Sequence, residues 1–323
     1  MTRISPHQTI LARRSWQINS SSLPSSPTRN SRKIIPKFDS IQGRLPYSVN
    51  VNESQIQLGE HRIEVFAEKE PVQLPWKEMG VDVVIESTGL FTKRELAAKH
   101  LAAGARRVVI SASAASADIT LVLGVNDHQI DLAKHQVISM ASCTTNSLAP
   151  VLKILNDAFG VENAMVTTVH AYTSSQGLVD RPAKKLRRGR SAAVSLIPTG
   201  TGAAVATTMV LPELEGRVDA IAIRVPVPDG AITDIVTHLR EEVSIERVNA
   251  VLKAASENSL KDILAYSEEE LVSADILGDI HSSIVDALST RVIRGHVAKV
   301  LVWYDNEVGY AQRLLGVVNN LSL

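Results

Sequence analysis

The sequence contains a single cysteine, Cys143, in 323 residues. One thiol cannot form an internal disulfide, so the sequence excludes a disulfide framework and favours a reducing, cytoplasmic setting. No apolar run reaches the roughly 18 residues of a membrane-spanning helix, and we therefore expect no membrane partner. Basic and acidic residues balance at 34 each, so no net charge argues for a nucleic-acid partner.

Metal-binding patterns are lacking as well. The nine histidines are scattered without the spacing of a zinc site, and we expect no metal. Hydrophobic residues make up 45% and charged residues 21% of the chain, which is typical of a globular protein that buries a core. The length allows two ordinary domains.

The first 36 residues contain no Asp, Glu or Gly and are rich in Ser, Arg and Pro. This composition predicts a disordered segment. It also fits a transit peptide, which is rich in Arg and Ser and poor in acidic residues. Translation in a wrong frame is a third interpretation of the same composition.

From about Lys37 the sequence has the pattern of a folded chain. The stretch "VNVNESQIQLGEHRIEVFAE" alternates and predicts short antiparallel strands. The apolar runs in "VDVVIEST", "RRVVIS", "TLVLGVN" and "HQVISMAS" predict an α/β fold with a parallel sheet covered by helices on both faces. Ligands bind beyond the carboxyl ends of such strands, where residues 87–89, Ser111 and Cys143 are expected.

The second half of the chain has a different pattern. "AMVTTVHAYTSSQ" predicts a strand that enters a polar loop, and "DAIAIRVPVPDGAITDIVTHL" predicts two alternating strands around a Pro-Asp-Gly turn. A helix is expected in "SIERVNAVLKAASE" and a strand in "AKVLVWYD". These elements indicate a separate α+β domain.

Cys143 lies in "ASCTTNS", between a predicted strand and a predicted helix. Backbone N–H groups and the positive end of the helix would then face the sulfur, which predicts a reactive thiol with a lowered pKa. A buried, inert cysteine is the alternative, and its polar neighbours argue against it. His170 ends an apolar strand and is a candidate base, because enzymes commonly activate a thiolate with a neighbouring histidine. The alternative is a histidine with a purely structural role.

Several features suggest a bound anion. "KKLRRGR" is strongly basic, and "PTGTGAA" offers N–H and hydroxyl donors at the start of a helix, although a solvated basic face is equally compatible. Arg224 lies in the apolar strand "AIAIRVPVP", where an unpaired charge is costly. We therefore expect Arg224 to have a carboxylate or a bound phosphate as partner.

These motifs carry a resemblance to a known family. "ASCTTNS", "TVHAYT", "LRRGR", "PTGTGAA", "IRVPVPDG" and "WYDNEVGY" resemble the phosphorylating glyceraldehyde-3-phosphate dehydrogenases, from about Lys37 to the C-terminus. The resemblance implies an incomplete, doubly wound (Rossmann-like) sheet at 37–142 after an unmatched segment at 1–36. It further implies a catalytic domain at 143–304 and a helix at 305–323 that returns to the NAD-binding domain.

The resemblance also implies the chemistry and the site residues. Cys143 would attack the aldehyde of glyceraldehyde 3-phosphate, His170 would act as base, and hydride would pass to NAD or NADP. Inorganic phosphate would then split the resulting thioester to give 1,3-bisphosphoglycerate. Ser111 and Asn306 match cofactor contacts. The residues implied for binding the substrate and the two phosphates are Ser142, Thr144, Thr173, Arg188, Thr201, Gly202 and Arg224. A homotetramer is implied as the assembly.

One departure from the family's pattern bears on the cofactor. Members of the family begin with a strand, a GFGRIGR-type loop and a helix. A second strand follows and ends in an acidic residue that binds the ribose of the cofactor. This chain, in contrast, has no glycine before Gly43. We therefore predict that this βαβ unit is missing or replaced and that cofactor binding is weakened. The alternatives are an erythrose-4-phosphate dehydrogenase and a cofactor-deficient, non-catalytic interaction protein of the same fold.

Overall fold

A computed structural model describes residues 37–52 and 54–321 and the backbone of residues 9–12 and 16–19. The chain divides into two compact units. The first comprises residues 1–121, 129–141 and 314–323, and the second comprises residues 122–128 and 142–313. In the described part of the chain, no helix is long and apolar enough to cross a membrane, and no group of His, Cys, Asp or Glu residues there could hold a metal ion.

The first unit is built on a sheet of nine strands. Numbered in chain order and given in spatial order, they are β10 (Ile119–Thr120), β11 (Val137–Ser139), β9 (Arg107–Ile110), β8 (Val83–Glu86), β1 (Thr9–Ala12), β2 (Trp16–Asn19), β7 (His61–Phe66), β6 (Gln55–Leu58) and β5 (Val49–Val51). Strands β8 to β11 pair in parallel. All residues of β8 and β11 are buried, as are three of the four in β9, which is expected for parallel strands covered on both faces. The two residues of the edge strand β10 are partly buried. The predicted α/β fold is therefore confirmed.

The smaller elements of this unit follow the sequence pattern. Strands β5, β6 and β7 form the predicted antiparallel meander. The two-residue strands β3 (Phe38–Asp39) and β4 (Gly43–Arg44) pair separately. Two short helices, α1 (Arg94–Ala97) and α2 (Lys99–Ala102), follow β8.

The N-terminal segment departs from the predicted disorder. Strand β1 pairs antiparallel with β8, and β2 pairs parallel with β7, so together they bridge the two halves of the sheet. The prediction is thus wrong for these eight described positions, and the rest of 1–36 lies outside the described residues. Strands β7 and β8 would otherwise expose rows of unpaired N–H and C=O groups, and an extended segment satisfies them.

The second unit is built on a sheet of seven strands. In spatial order they are β13 (Ile197–Gly200), β14 (Val218–Val225), β12 (Val161–Ala171), β15 (Ala231–Leu239), β18 (Val297–Tyr304), β17 (Ser283–Ile293) and β16 (Leu264–Ser267). One face of this sheet contributes to a large apolar core. The helices are α3 (Cys143–Phe159), α4 (Ala203–Val210), α5 (Ile245–Glu257) and α6 (Val308–Leu321), the last of which continues into the first unit's range.

The two strands around the Pro-Asp-Gly turn do not pair with each other. Strand β12 lies between β14 and β15, parallel to the first and antiparallel to the second. The turn crosses the end of β12, where the Tyr172 N–H donates to the Val227 carbonyl and the Ala171 N–H donates to the Gly230 carbonyl. This crossing places Arg224 directly beside His170 in the ladder.

Candidate active site

Cys143 is the first residue of helix α3, as its sequence context predicts. Ser142 caps the helix in an extended conformation, and its Oγ accepts a hydrogen bond of 3.1 Å from the Thr145 N–H. A serine at this position satisfies one of the N–H groups that a helix leaves without an internal partner. The neighbouring N–H groups of Cys143 and Thr144 interact with the thiol.

His170 lies near the end of β12 and is 4% exposed. Its Nε2 is 3.5 Å from the Cys143 Sγ. The helix N-terminus and the strand end thus bring the thiol and the imidazole together. The half-buried Cys143 is free of any disulfide.

The other ring nitrogen of His170 contacts Arg224. Arg224 Nη1 lies 2.6 Å from His170 Nδ1 and 2.8 Å from the Ala171 carbonyl oxygen. A guanidinium nitrogen can only donate, so Nδ1 accepts and the ring proton lies on Nε2, facing the sulfur. In the other tautomer Nδ1–H would donate to the Ala171 carbonyl, 2.8 Å away, and Nε2 could accept the thiol proton.

The surroundings strongly disfavour a charged imidazole. Burial, and secondarily the positive charge of Arg224, lower the pKa of His170 to about 3, against a small opposing effect of the Ala171 carbonyl. Both causes disfavour the imidazolium form. Both effects therefore favour the neutral form of His170 in this geometry.

The thiol itself differs from the sequence expectation. Burial raises the pKa of Cys143, although Arg224 and the hydrogen bonds from the Thr144 hydroxyl and the backbone N–H groups lower it. The groups named by the sequence argument are present and act in the predicted direction. The predicted net lowering is nevertheless wrong, because desolvation of the sulfur is the largest effect.

Arg224 has no carboxylate partner among the described residues. Its Nε is buried without a hydrogen bond, and Nη1 is directed to the histidine and a carbonyl. Burial lowers the pKa of Arg224, and the nearby charge of Arg188 lowers it further. Two guanidinium groups that repel each other at a partly buried site favour a bound anion.

The remaining predicted anion contacts lie around α4. Arg188 Nε donates to Thr199 Oγ1 at 2.9 Å, and Arg188 is thereby held at strand β13. Thr201 Oγ1 accepts from the Ala203 N–H at 3.2 Å, and Gly202 occupies the N-cap position of α4.

Two predicted residues of the second unit have local partners that fix their side chains. Thr173 Oγ1 lies 3.0 Å from Ser175 Oγ, and no hydrogen bond joins Thr173 to Arg224. Asn306 Oδ1 accepts from the Gly230 N–H at 3.0 Å, so its amide nitrogen remains to donate.

Ser111 belongs to the first unit and follows β9. Its N–H and its Oγ both donate to the Glu86 carbonyl, at 3.0 and 3.3 Å. Strands β8 and β9 are parallel neighbours, so Ser111 and residues 87–89 lie at the same edge of this sheet.

Tyr304 is a site residue that the sequence reasoning did not single out. Its ring lies edge-on to the His170 ring, with centroids 6.0 Å apart, and its Oη is 2.9 Å from both Thr144 Oγ1 and Thr168 Oγ1. The available signal was its place at the end of the apolar strand "AKVLVWY", directly before the quoted Asp-Asn pair.

Fold and site together define a class of enzyme: an α/β unit of the nucleotide-binding type and an α+β unit that carries a thiol, an imidazole and two arginines. Comparison with known proteins makes this specific. The family model described as glyceraldehyde 3-phosphate dehydrogenase, C-terminal domain, matches residues 142–306. The model described as the NAD binding domain of the same family matches residues 17–94 and thus begins ahead of the predicted boundary at Lys37.

Curated relatives agree with the family models. The chain is 55% identical over 286 residues to a glyceraldehyde-3-phosphate dehydrogenase of Geobacillus stearothermophilus, covering 88% of this chain and 85% of the relative. It is 52% identical over 279 residues to glyceraldehyde-3-phosphate dehydrogenase 1 of Bacillus subtilis, covering 86% and 83%. The chain belongs to the glyceraldehyde 3-phosphate dehydrogenase family and is an oxidoreductase with an NAD-binding domain.

Proposed function

We propose that the chain oxidises glyceraldehyde 3-phosphate to 1,3-bisphosphoglycerate, with inorganic phosphate as the second substrate, in the cytoplasm. The observation that carries the proposal is the 3.5 Å contact of Cys143 Sγ with His170 Nε2, beside Arg224, which has no carboxylate partner in the part of the chain that the structure describes. A thiol, a base and an anion site in contact match the needs of covalent aldehyde oxidation.

Arg224, together with Thr173, binds the phosphate of the aldehyde in this proposal. A phosphate accepts charge-assisted hydrogen bonds from a guanidinium more favourably than a neutral ring nitrogen does. Binding therefore draws Arg224 Nη1 away from His170, Nδ1–H donates to the Ala171 carbonyl, and Nε2 becomes free to accept a proton. The substrate's own phosphate thus prepares the base.

The chemistry then proceeds on Cys143. The thiol gives its proton to His170 Nε2 as sulfur attacks the aldehyde carbon. The imidazolium passes that proton to the carbonyl oxygen, and a thiohemiacetal forms. Loss of hydride from that carbon, with return of the hydroxyl proton to the base, leaves a thioester. An oxygen of inorganic phosphate attacks the thioester carbon, the C–S bond breaks, and the acyl phosphate and thiolate result.

The attacking phosphate is assigned to a second set of donors. The set consists of the residues at the starts of α3 and α4 and one arginine, namely Ser142, Thr144, Arg188, Thr201 and Gly202. Helix N-termini offer N–H groups and a positive dipole end, which suit an anion that must approach a covalent acyl group. Arg188 adds a charge at strand β13.

NAD accepts the hydride when it is bound. Within the second unit, Asn306 presents an amide nitrogen that can donate to the nicotinamide. Within the first unit, Ser111 lies at the carboxyl edge of the parallel strands, where sheets of this kind bind ligands. NADP is the alternative cofactor.

The residues expected to hold the pyrophosphate of the cofactor fit it less well, and we propose that cofactor binding is weakened in this chain. Strand β1 runs antiparallel to β8, so its carboxyl end lies at the opposite edge from Ser111. Strand β2 has the required direction, but no glycine follows it before Gly43. Backbone N–H groups of a glycine-rich loop are what holds a pyrophosphate, and a family-type unit is therefore missing or replaced.

The family-based domain limits are part of the proposal: a cofactor domain at 37–142, a catalytic domain at 143–304 and a C-terminal helix at 305–323. A homotetramer is the proposed assembly. Its support is the loop between β12 and β13, where large apolar side chains are exposed: Leu178, Val179, Leu186, Val194 and Leu196. Patches of this kind are typical of protein–protein interfaces.

The test exchanges residues 1–36 for a family-type strand–GFGRIGR–helix–strand unit. We expect micromolar NAD binding by calorimetry and phosphate-dependent oxidation of glyceraldehyde 3-phosphate, both lost again in Cys143→Ser. Comparison of glyceraldehyde 3-phosphate with erythrose 4-phosphate identifies the preferred aldehyde. A folded graft that binds NAD but oxidises neither would contradict the proposal and favour the interaction protein. Micromolar NAD binding by the unmodified chain would contradict the weakening.

A further inference from the structure

Tyr304 links the two elements that carry the thiol and the imidazole. The side chain is 1% exposed, at the end of β18. Its Oη is 2.9 Å from Thr144 Oγ1, in the first turn of α3, and 2.9 Å from Thr168 Oγ1, on β12 two residues before His170. No water reaches such a buried group freely, so its single proton has a restricted choice of acceptors.

In one arrangement of the hydroxyl protons, the Thr144 hydroxyl is a donor to the Cys143 sulfur. The Thr144 hydroxyl, on the residue next to Cys143, lowers the pKa of that thiol, which is the effect of a donor to the thiolate. A hydroxyl has one proton, so Thr144 Oγ1 must then accept from Tyr304 Oη–H, and Tyr304 accepts from the Thr168 hydroxyl. Hydrogen bonds in such a chain polarise one another and strengthen the last one, which ends at the sulfur.

We propose that Tyr304 is a positioning residue: its hydroxyl holds the Thr144 hydroxyl as a hydrogen-bond donor to the Cys143 thiolate. The inference rests on the proposed role of Cys143 as nucleophile. Burial, and secondarily the charge of Cys143, raise the pKa of Tyr304. These effects outweigh the lowering of that pKa by the hydroxyls of Thr144, Thr168 and Thr233, so the phenol keeps the proton that the arrangement requires.

Other groups also act on the thiol and stay in place when only the phenol oxygen is removed. His170 contacts the sulfur, and Arg224 lowers the pKa of Cys143 through its charge. Tyr310 is close enough for the Cys143 charge to raise its pKa, and Arg188 faces Arg224. A phenylalanine at position 304 retains the ring that packs edge-on against His170.

The test is the pH dependence of Cys143 alkylation by iodoacetamide in Tyr304→Phe and in the parent chain. The chain has no other thiol, so the reaction reports on Cys143 alone. We expect the inflection to rise by about half a unit to one pH unit. Alkylation below the inflection should be about three- to tenfold slower, as for loss of one hydrogen bond to a charged acceptor.

Two controls separate positioning from a general loss of packing. Thr144→Val removes the proposed donor itself and should raise the inflection at least as much. Tyr266→Phe removes a phenol oxygen from β16 of the same sheet and should leave the inflection unchanged. Thermal melting of each variant verifies that the chain is folded.

An unshifted inflection in folded Tyr304→Phe, alongside a shift in Thr144→Val, would overturn the proposal. If Tyr304→Phe does not fold, Thr168→Val replaces it: a smaller upward shift supports the chain of hydroxyls, and no shift overturns it. The assay uses neither aldehyde nor cofactor. Its failure is therefore distinct from failure of the proposed function, which would appear as retained dehydrogenase activity in Cys143→Ser.

Discussion

At the scale of residues, the protonation of the half-buried Cys143 thiol and of His170 depends on few charged groups. Among the described residues, Arg224 is the one cation that hydrogen-bonds to His170, and its charge lowers the pKa of both Cys143 and His170. It favours the thiolate but disfavours the imidazolium. Removing its charge or neutralising it with an anion therefore raises the pKa of both groups, which disfavours the thiolate and favours the imidazolium. Arg224 is for this reason the residue to test.

Replacing Arg224 by alanine should raise the KM for glyceraldehyde 3-phosphate by about ten- to a hundredfold, in the range of a lost charge-assisted contact. The KM for unphosphorylated glyceraldehyde should change far less, because it has no phosphate to lose. A kcat change common to both substrates is expected, since Arg224 also contacts His170.

Steady-state kinetics with both aldehydes, in the grafted chain if cofactor binding is weak, measures this difference in KM. Arg224→Lys retains the charge and should recover part of the phosphate preference. Equal KM increases for both aldehydes would assign Arg224 a structural role.

His170 predicts a loss of stability in acid. Its pKa is about 3 in the folded protein and about 6.5 in an unfolded chain, so between these values the unfolded state binds the extra proton. Above about pH 6.5 this histidine does not change the free energy of unfolding, and below that value the free energy of unfolding decreases as the pH falls towards 3. Thermal melting between pH 7 and 4 should show a shallower decline for His170→Asn than for the parent chain.

The comparison for this prediction is His128→Asn, which removes a histidine from the short turn at Asp127–Gln129, away from the contacts of the site. This variant should retain the parent's decline with pH. A decline of equal slope in all three chains would show that carboxylates alone determine the acid sensitivity.

At the scale of elements, helix α3 defines the position of the thiol. Ser142 caps its first turn, and Gly160 ends it at a φ of +68°, a conformation that glycine adopts without the strain of a Cβ. Between these ends, Leu148, Leu152 and Leu155 recur at helical spacing and are fully buried. The helix is therefore fixed by its core, and its first turn carries the reactive group.

Ser142→Ala should lower stability by about 1 kcal/mol, or about 2–4 °C in the melting temperature of a unit of this size. The same change should slow alkylation of Cys143, because the first turn loses its anchor. Calorimetry and iodoacetamide kinetics measure the two effects.

Ser244→Ala is the matched control for the cap. Ser244 caps α5 by accepting from the Arg247 N–H at 3.2 Å, which is the same interaction in a helix without a reactive residue. It should lower the melting temperature by a similar amount and leave alkylation unchanged. An alkylation rate that falls equally in both variants would indicate a global effect.

At the scale of the whole molecule, the apolar surface of the β12–β13 loop is the most conspicuous feature. Leu186 is 85% exposed and Val194 is 80% exposed. Exposing large aliphatic side chains together is unfavourable in water by about 25 cal/mol per Å² of apolar area, and covering them by further copies of the chain removes that cost. The same loop carries Arg188, so the proposed interface between copies and the proposed anion site lie on one segment.

Leu186→Glu should shift the protein to a smaller assembly, because a carboxylate replaces an apolar side chain that the partner would bury. Light scattering coupled to size exclusion gives the mass. Val272→Glu, at an exposed position elsewhere in the second unit, should leave the assembly unchanged. A parent chain that is already monomeric would contradict the proposed tetramer.

The sequence alone determined the family, most strands and helices, and the two residues, Cys143 and His170, that the structure brings into contact. These depend on local patterns: apolar runs, a serine before a helix, and short motifs around Cys143 and His170. The start of the folded chain was not determined in this way, because the backbone of residues 9–12 and 16–19 joins the sheet through main-chain hydrogen bonds that any extended segment can form.

Only the tertiary structure decided the electrostatics of the site. Strand β12 separates two strands that are adjacent in sequence, and this order places Arg224 beside His170. Burial of the sulfur and the imidazole then outweighs the helix N-terminus and reverses the expected pKa shift of Cys143. Desolvation depends on every atom packed around a group, whatever its distance along the chain, so no local pattern in the sequence contains it.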